Sequence, residues 1–122
     1  LSPAAPEKAV LAEGVPLRWG NFELTLLRSP QGEGISLRAP NAGESLFVGP
    51  CDLSARLTLE GANGARSVKR LCVDKKITLS ERDALPAIYA GDRLAAVWRL
   101  GTDVSFLPQC SEDTRFVRIV PL

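Results

Sequence analysis

The residues with the most chemistry to offer lie between Arg66 and Arg82. Arg66, Lys69, Arg70, Lys75, Lys76 and Arg82 set six cations against two carboxylates, Asp74 and Glu81, a local balance of +4 in a chain whose net charge is +1. The remainder therefore sums to −3, and one side of the molecule is expected to face a polyanion. Arginine forks suit phosphate oxygens and lysine adds point charge. Several such contacts give an affinity that falls steeply with salt. No aromatic residue is interleaved with these cations, so the expected contact is a duplex backbone rather than splayed single-stranded bases. The competing reading is a solvated helix face.

Catalytic chemistry is poorly supplied. The 122 residues include no histidine, which excludes Ser-His-Asp and Cys-His arrangements and leaves a zinc site only scattered cysteines and carboxylates. Neither Gly-x-x-x-x-Gly-Lys-Ser/Thr nor Gly-x-Gly-x-x-Gly occurs, and Gln31-Gly-Glu-Gly34 reads as turn glycines. Glu81 with Asp83, or Glu112 with Asp113, offers paired carboxylates for acid/base work. A helix cap and a solvated loop account for them equally well. Cys51, Cys72 and Cys110 are odd in number and contain no Cys-x-x-Cys pair, which suits reduced, inert, half-buried thiols. No catalytic residue and no metal site is expected.

The elements that must position the cations follow from periodicity. With 45% hydrophobic residues the chain can build one ordinary core. Nineteen Gly and Pro residues favour short elements and many turns. No apolar run is long enough to span a membrane, and Leu1-Ser-Pro-Ala-Ala-Pro6 lacks the marks of a secretory signal. Beginning with Leu, the chain reads as a segment of something longer. Residues 1–14 read as a linker or a short helix around Glu7 to Ala12, and 15–122 as the domain proper.

Leu17 to Trp19 and Phe22 to Leu27 flank Gly20-Asn21 as a hairpin. Ile35 with Leu37, Leu46 to Val48, and Arg56 to Leu59 are further short strands. At Ser67 the period changes. Val68, Leu71, Cys72 and Lys75 share one face of a helix over about 67–75, and Arg66, Lys69 and Lys76 cluster on its flank with Arg70 just beyond. Ser80-Glu-Arg-Asp83 fits the capping pattern of a second helix over about 80–85, ended by Pro86. Ala87 to Tyr89 and Leu94 to Trp98 form a hairpin around Gly91-Asp92, and Val104 to Leu107 and Arg115 to Val120 complete the strands. The class is α+β: short strands in a small two-layered sheet assembly with two short helices packed on it.

Gly64-Ala-Arg-Ser-Val-Lys-Arg-Leu-Cys-Val-Asp-Lys-Lys-Ile77, Ser80-Glu-Arg-Asp-Ala-Leu-Pro86, Gly91-Asp-Arg-Leu-Ala-Ala-Val97 and Gly101 resemble the C-terminal domain of bacterial tRNA(Ile)-lysidine synthetase. The resemblance covers residues 56–103. Thr78 stands where the family commonly has Pro, Arg99 stands close to a common Gly, and Pro50-Cys-Asp-Leu-Ser-Ala-Arg56 lacks an upstream Gly-Asp.

The resemblance implies a cytoplasmic parent enzyme that uses ATP, with magnesium, to join lysine to the wobble cytidine of a minor isoleucine tRNA. Its chemistry belongs to an N-terminal PP-loop domain marked by Ser-Gly-Gly-x-Asp-Ser, which this chain lacks. The segment alone is then expected to hold no cofactor and to catalyse nothing. Its implied partners are the acceptor-stem region of tRNA and its own catalytic domain, not DNA or a membrane. Arg66, Lys69, Arg70, Lys75 and Lys76 are the expected phosphate contacts, and Arg82 either joins them or bridges the helices. The alternative from another class is a docking module whose basic helix meets an acidic protein surface.

Overall fold

In a computed structural model of the chain, residues 8–39, 45–61, 64–82, 84–108 and 113–122 are described. The strands are β1 (Ala9–Val10), β2 (Leu17–Trp19), β3 (Phe22–Leu27), β4 (Gly34–Arg38), β5 (Leu46–Pro50), β6 (Arg56–Leu57) and β7 (Arg66–Ser67). Helices α1 (Val68–Asp74) and α2 (Leu79–Arg82) follow, then β8 (Pro86–Ala90), β9 (Arg93–Val97), β10 (Gly101–Thr102), a single 3₁₀ turn over Val104–Phe106, and β11 (Thr114–Pro121). The α+β class holds. None of the described helices is long and apolar enough to cross a membrane.

Five strands form one sheet in the order β1-β5-β8-β9-β10, four form a second in the order β2-β3-β11-β4, and β6 pairs with β7 alone. Strand alternation decides which side chains go where. Leu24, Leu26, Ile35, Leu37, Val117 and Ile119 of the four-stranded sheet share a core with Leu46, Val48, Ile88 and Ala90 of the five-stranded one. Ala87, Tyr89 and Val97 point the other way and share a second core with Leu57, Val68, Leu71, Cys72 and Ile77. Strand β8 is therefore buried along its whole length.

An irregularity in the β8–β9 register between Ile88 and Tyr89 has a packing consequence. Ala95 and Ala96 are consecutive, yet both lie in the core between the sheets. A bulge supplies the extra residue that keeps them there.

Three expectations change. The segment read as a linker or short helix over 1–14 is, in its described part, woven into the fold. Ala9 and Val10 pair with Val48 and Phe47, Leu11 is buried in the core, and Glu13 pairs with Arg28. The available strand edge overrides a weak helical pattern. Val104 to Leu107 is not a strand, because Asp103 accepts hydrogen bonds from the Ser105 N–H (3.0 Å) and hydroxyl (2.6 Å) and curls the chain into the 3₁₀ turn. Strand β6 stops at Leu57, where the Thr58 N–H turns to the Asp103 carboxylate at 2.9 Å.

Asp103 thus ties the strip after β6 to the 3₁₀ turn. Burial works against its ionisation, but hydrogen bonds from Ser105 and Thr58, with the charge of Arg93 nearby, hold its carboxyl below the ordinary range. A depressed folded-state value means stability present above the unfolded value and lost as pH falls through the folded one. Urea midpoints of the natural chain should therefore fall between neutral pH and about pH 3. Asp103→Asn should be less stable at neutral pH and show a shallower fall.

Candidate nucleic-acid interface

Helix α1 is held by its start. The Val68 and Lys69 N–H groups donate to Ala55 (2.8 Å) and Leu53 (3.2 Å) carbonyls, and Arg70 N–H donates to the Ser67 hydroxyl at 3.1 Å. The first three helical donors are spent, so any anion met here is met by side chains. Val68, Leu71 and Cys72 are buried, as the spacing predicts, while Lys69, Arg70 and Lys75 are exposed.

The helical-wheel argument for the flank fails at both ends. Arg66 lies in β7, opposite Leu57, and Lys76 lies beyond the cap Lys75 with φ 57°. The Lys76 N–H donates to Val73 (3.0 Å) and the Ile77 N–H to Cys72 (2.9 Å). This is the double closure of a helix terminated by a left-handed residue, with Ile77 turned back into the core. Lysine sits where glycine is favoured, at a cost of about 1 kcal/mol. Lys76→Gly should raise stability by up to about 1 kcal/mol, read as a higher midpoint in urea titration.

Helix α2 also starts earlier than its sequence suggests. Thr78, not Ser80, is the cap. Its hydroxyl accepts from the Glu81 N–H at 3.3 Å and the Glu81 carboxylate accepts from the Thr78 N–H at 3.2 Å, a reciprocal pair. The residue that departs from the resembled pattern thus starts the second helix. Pro86 opens β8 rather than closing α2. Asp83, Cys110 and Glu112 lie outside the described residues.

Among the described residues Arg66, Lys69, Lys75 and Lys76 carry no ion pair, and Arg70 meets Asp74 at 3.4 Å with both side chains largely in water. Such a pair contributes little and leaves Arg70 available. Arg82 differs from the rest. It is half-buried and its Nε donates to the Ile77 carbonyl at 3.1 Å, bracing the step between the helices. The fold adds one cation that sequence reasoning passed over as a contact: Arg56 is exposed and stands opposite Ser67 in the β6–β7 pairing, beside the start of α1. The sequence signal was Gly61-Ala-Asn-Gly64, turn-forming residues between Arg56 and the basic stretch.

Two described groups that could act as nucleophile or base are shifted toward their protonated forms. Burial pushes the Cys72 thiol up, against the opposing charge of Arg82, so the thiolate is disfavoured. Burial, then the charges of Asp52 and Cys51, raises Tyr89, whose hydroxyl donates to the Pro50 carbonyl at 2.6 Å. No cluster of metal ligands occurs among the described residues. The described cations form a solvated set on and beside α1, of a kind suited to a polyanion.

Residues 46–118 match the family of the TilS substrate C-terminal domain. The chain belongs to that family. It is a C-terminal domain of the tRNA(Ile)-lysidine synthetase kind. A crystal structure of a TilS C-terminal domain has the same fold, with a TM-score of 0.74 over 94% of this chain and 96% of that one, at 18% sequence identity. No curated protein matches the chain. The TilS match begins at β5, upstream of the motifs that carry the resemblance, and the shared fold reaches nearly the whole chain. Strands β1–β4 belong to the TilS fold although their sequence carries little of its pattern.

Proposed function

We propose that this chain is the tRNA-gripping domain of a tRNA(Ile)-lysidine synthetase, the ATP-dependent ligase that joins lysine to the wobble cytidine of a minor isoleucine tRNA. Arg66, Lys69, Arg70, Lys75 and Lys76 contact acceptor-stem phosphates, Arg82 positions the helices, and the ATP- and magnesium-dependent step belongs to the catalytic domain of the parent enzyme, in the cytoplasm. The observation that carries this reading is a group of exposed cations on and beside an anchored helix, of which, among the described residues, Arg70 alone has an ion pair, a solvated one with Asp74. Cations left unpaired by their own fold are available to neutralise phosphates.

Lys69→Glu combined with Arg70→Glu should weaken binding of the matching tRNA by about tenfold and flatten the dependence of log affinity on log salt by about two. Unchanged affinity together with failed assembly onto the catalytic domain would favour the docking alternative instead.

A further inference from the structure

The edges of the two sheets meet where β10 runs beside β4, and the Thr102 hydroxyl donates to the Ser36 carbonyl at 3.0 Å across the junction. A shallow cleft of about 300 Å³ opens there, lined by Ile35, Ser36, Trp98, Arg99, Leu100 and Thr102. That volume is at the lower end for small-ligand pockets, about 300–1,000 Å³. The residues that line it include one tryptophan, aliphatic residues and one arginine.

Trp98 is half-buried, and its indole N–H has no partner among the described residues. None of their buried side-chain nitrogen or oxygen atoms is left unsatisfied, so that N–H reaches solvent. Arg99 has φ 73°, and the Leu100 N–H donates to Val97 at 3.1 Å across the turn. It occupies the third turn position, which type II geometry ordinarily gives to glycine. A strained backbone bearing a large charged side chain at a cleft mouth is the kind of outlier that accompanies binding. The one described partner of its guanidinium is Glu81 of α2, at 3.4 Å and well exposed. The cleft is thereby linked to the helix pair that carries the cations.

We propose that this cleft receives one unpaired nucleobase adjoining the bound duplex, stacked on Trp98 with its phosphate at Arg99. The proposal rests on the RNA reading of the basic surface. A nucleotide combines what the walls ask for, a flat apolar ring and an anion. The basic stretch has no aromatic residue in sequence; the Arg99–Glu81 contact joins the tryptophan next to Arg99 to α2.

The test uses the 122-residue chain and two short RNA duplexes, one blunt and one with a single-stranded extension containing 2-aminopurine. The extended duplex should bind about tenfold more tightly, with 2-aminopurine fluorescence quenched on binding. Arg99→Gly, which relieves the turn, should remove most of the preference for the extended duplex. Trp98→Leu should abolish the quenching. Equal affinity of the natural chain for both duplexes, or a preference surviving both substitutions, overturns the cleft proposal alone. Failure to bind either duplex overturns the RNA reading and the cleft with it.

Discussion

Gly34→Ala is expected to destabilise the protein by about 3 kcal/mol, although it adds one methyl group at a half-buried strand position. A Cβ built on Gly34 would lie 2.1 Å from the Val117 carbonyl oxygen and 2.7 and 2.8 Å from Phe116 ring carbons. Carbon and oxygen do not approach that closely, and the oxygen has nowhere to go. Val117 belongs to β11, whose neighbours β3 and β4 hold it on both sides. Relief requires the start of β4 to lift off β11, breaking the register in which Gly34 faces Arg118. Gly49 provides the contrast: its obstacles are side-chain atoms, Lys8 Cγ at 2.6 Å and a Tyr89 ring carbon at 3.3 Å, with no strand carbonyl in the way, so alanine there should cost less. Urea titration reads both, and a Gly34→Ala midpoint equal to that of the natural chain would contradict the β4–β11 pairing.

Ile88→Ala should cost about 3–4 kcal/mol. Ile88 is fully buried on the central strand of the five-stranded sheet, within the core shared with the four-stranded one. Several companions on its own sheet are already alanines, namely Ala90, Ala95 and Ala96. Close packing across the gap therefore depends on the few large residues present, and two hydrogen-bonded sheets cannot settle into the space left behind. Leu71→Ala on the seven-residue α1 should fall lower in the same range, because a short helix can shift where a sheet cannot. Equal losses at the two positions, measured by urea titration with unchanged m, would argue against that difference in rigidity.

Much of this architecture is written in local signals. Gly20-Asn21 and Gly91-Asp92 mark their hairpins because tight turns need residues that tolerate unusual backbone angles, and both hairpins occur where these dipeptides stand. The buried stripe of α1 is legible because three-and-four spacing is a property of the helix itself. The misreadings share a different cause. Ala9–Val10 is a strand because β5 offers an edge 37 or more residues away in sequence, and Val104–Phe106 curls because Asp103 captures Ser105 and Thr58. Neither influence has a local period.

The site was legible as composition rather than as geometry. The cations were countable, but their grouping on a helical flank assumed that helix continued through Arg66 and Lys76, where the chain is strand at one end and left-handed at the other. Trp98 and Arg99 lie 16 residues or more beyond the basic stretch's Arg82 in numbering, yet the Arg99–Glu81 contact joins them to α2. Only the folded chain shows that proximity.

Strand β8 has a consequence for how the molecule comes apart. Ile88 and Ala90 complete the core between the sheets, while Ala87 and Tyr89 complete the one beneath the helices. One five-residue ribbon is the common wall of both compartments. Neither compartment can be emptied without withdrawing a wall from the other, so the protein should melt in a single cooperative step rather than layer by layer. Any polyanion that bound α1 would then stabilise more than the helix it touched: by mass action it would hold closed a unit that includes the four-stranded sheet.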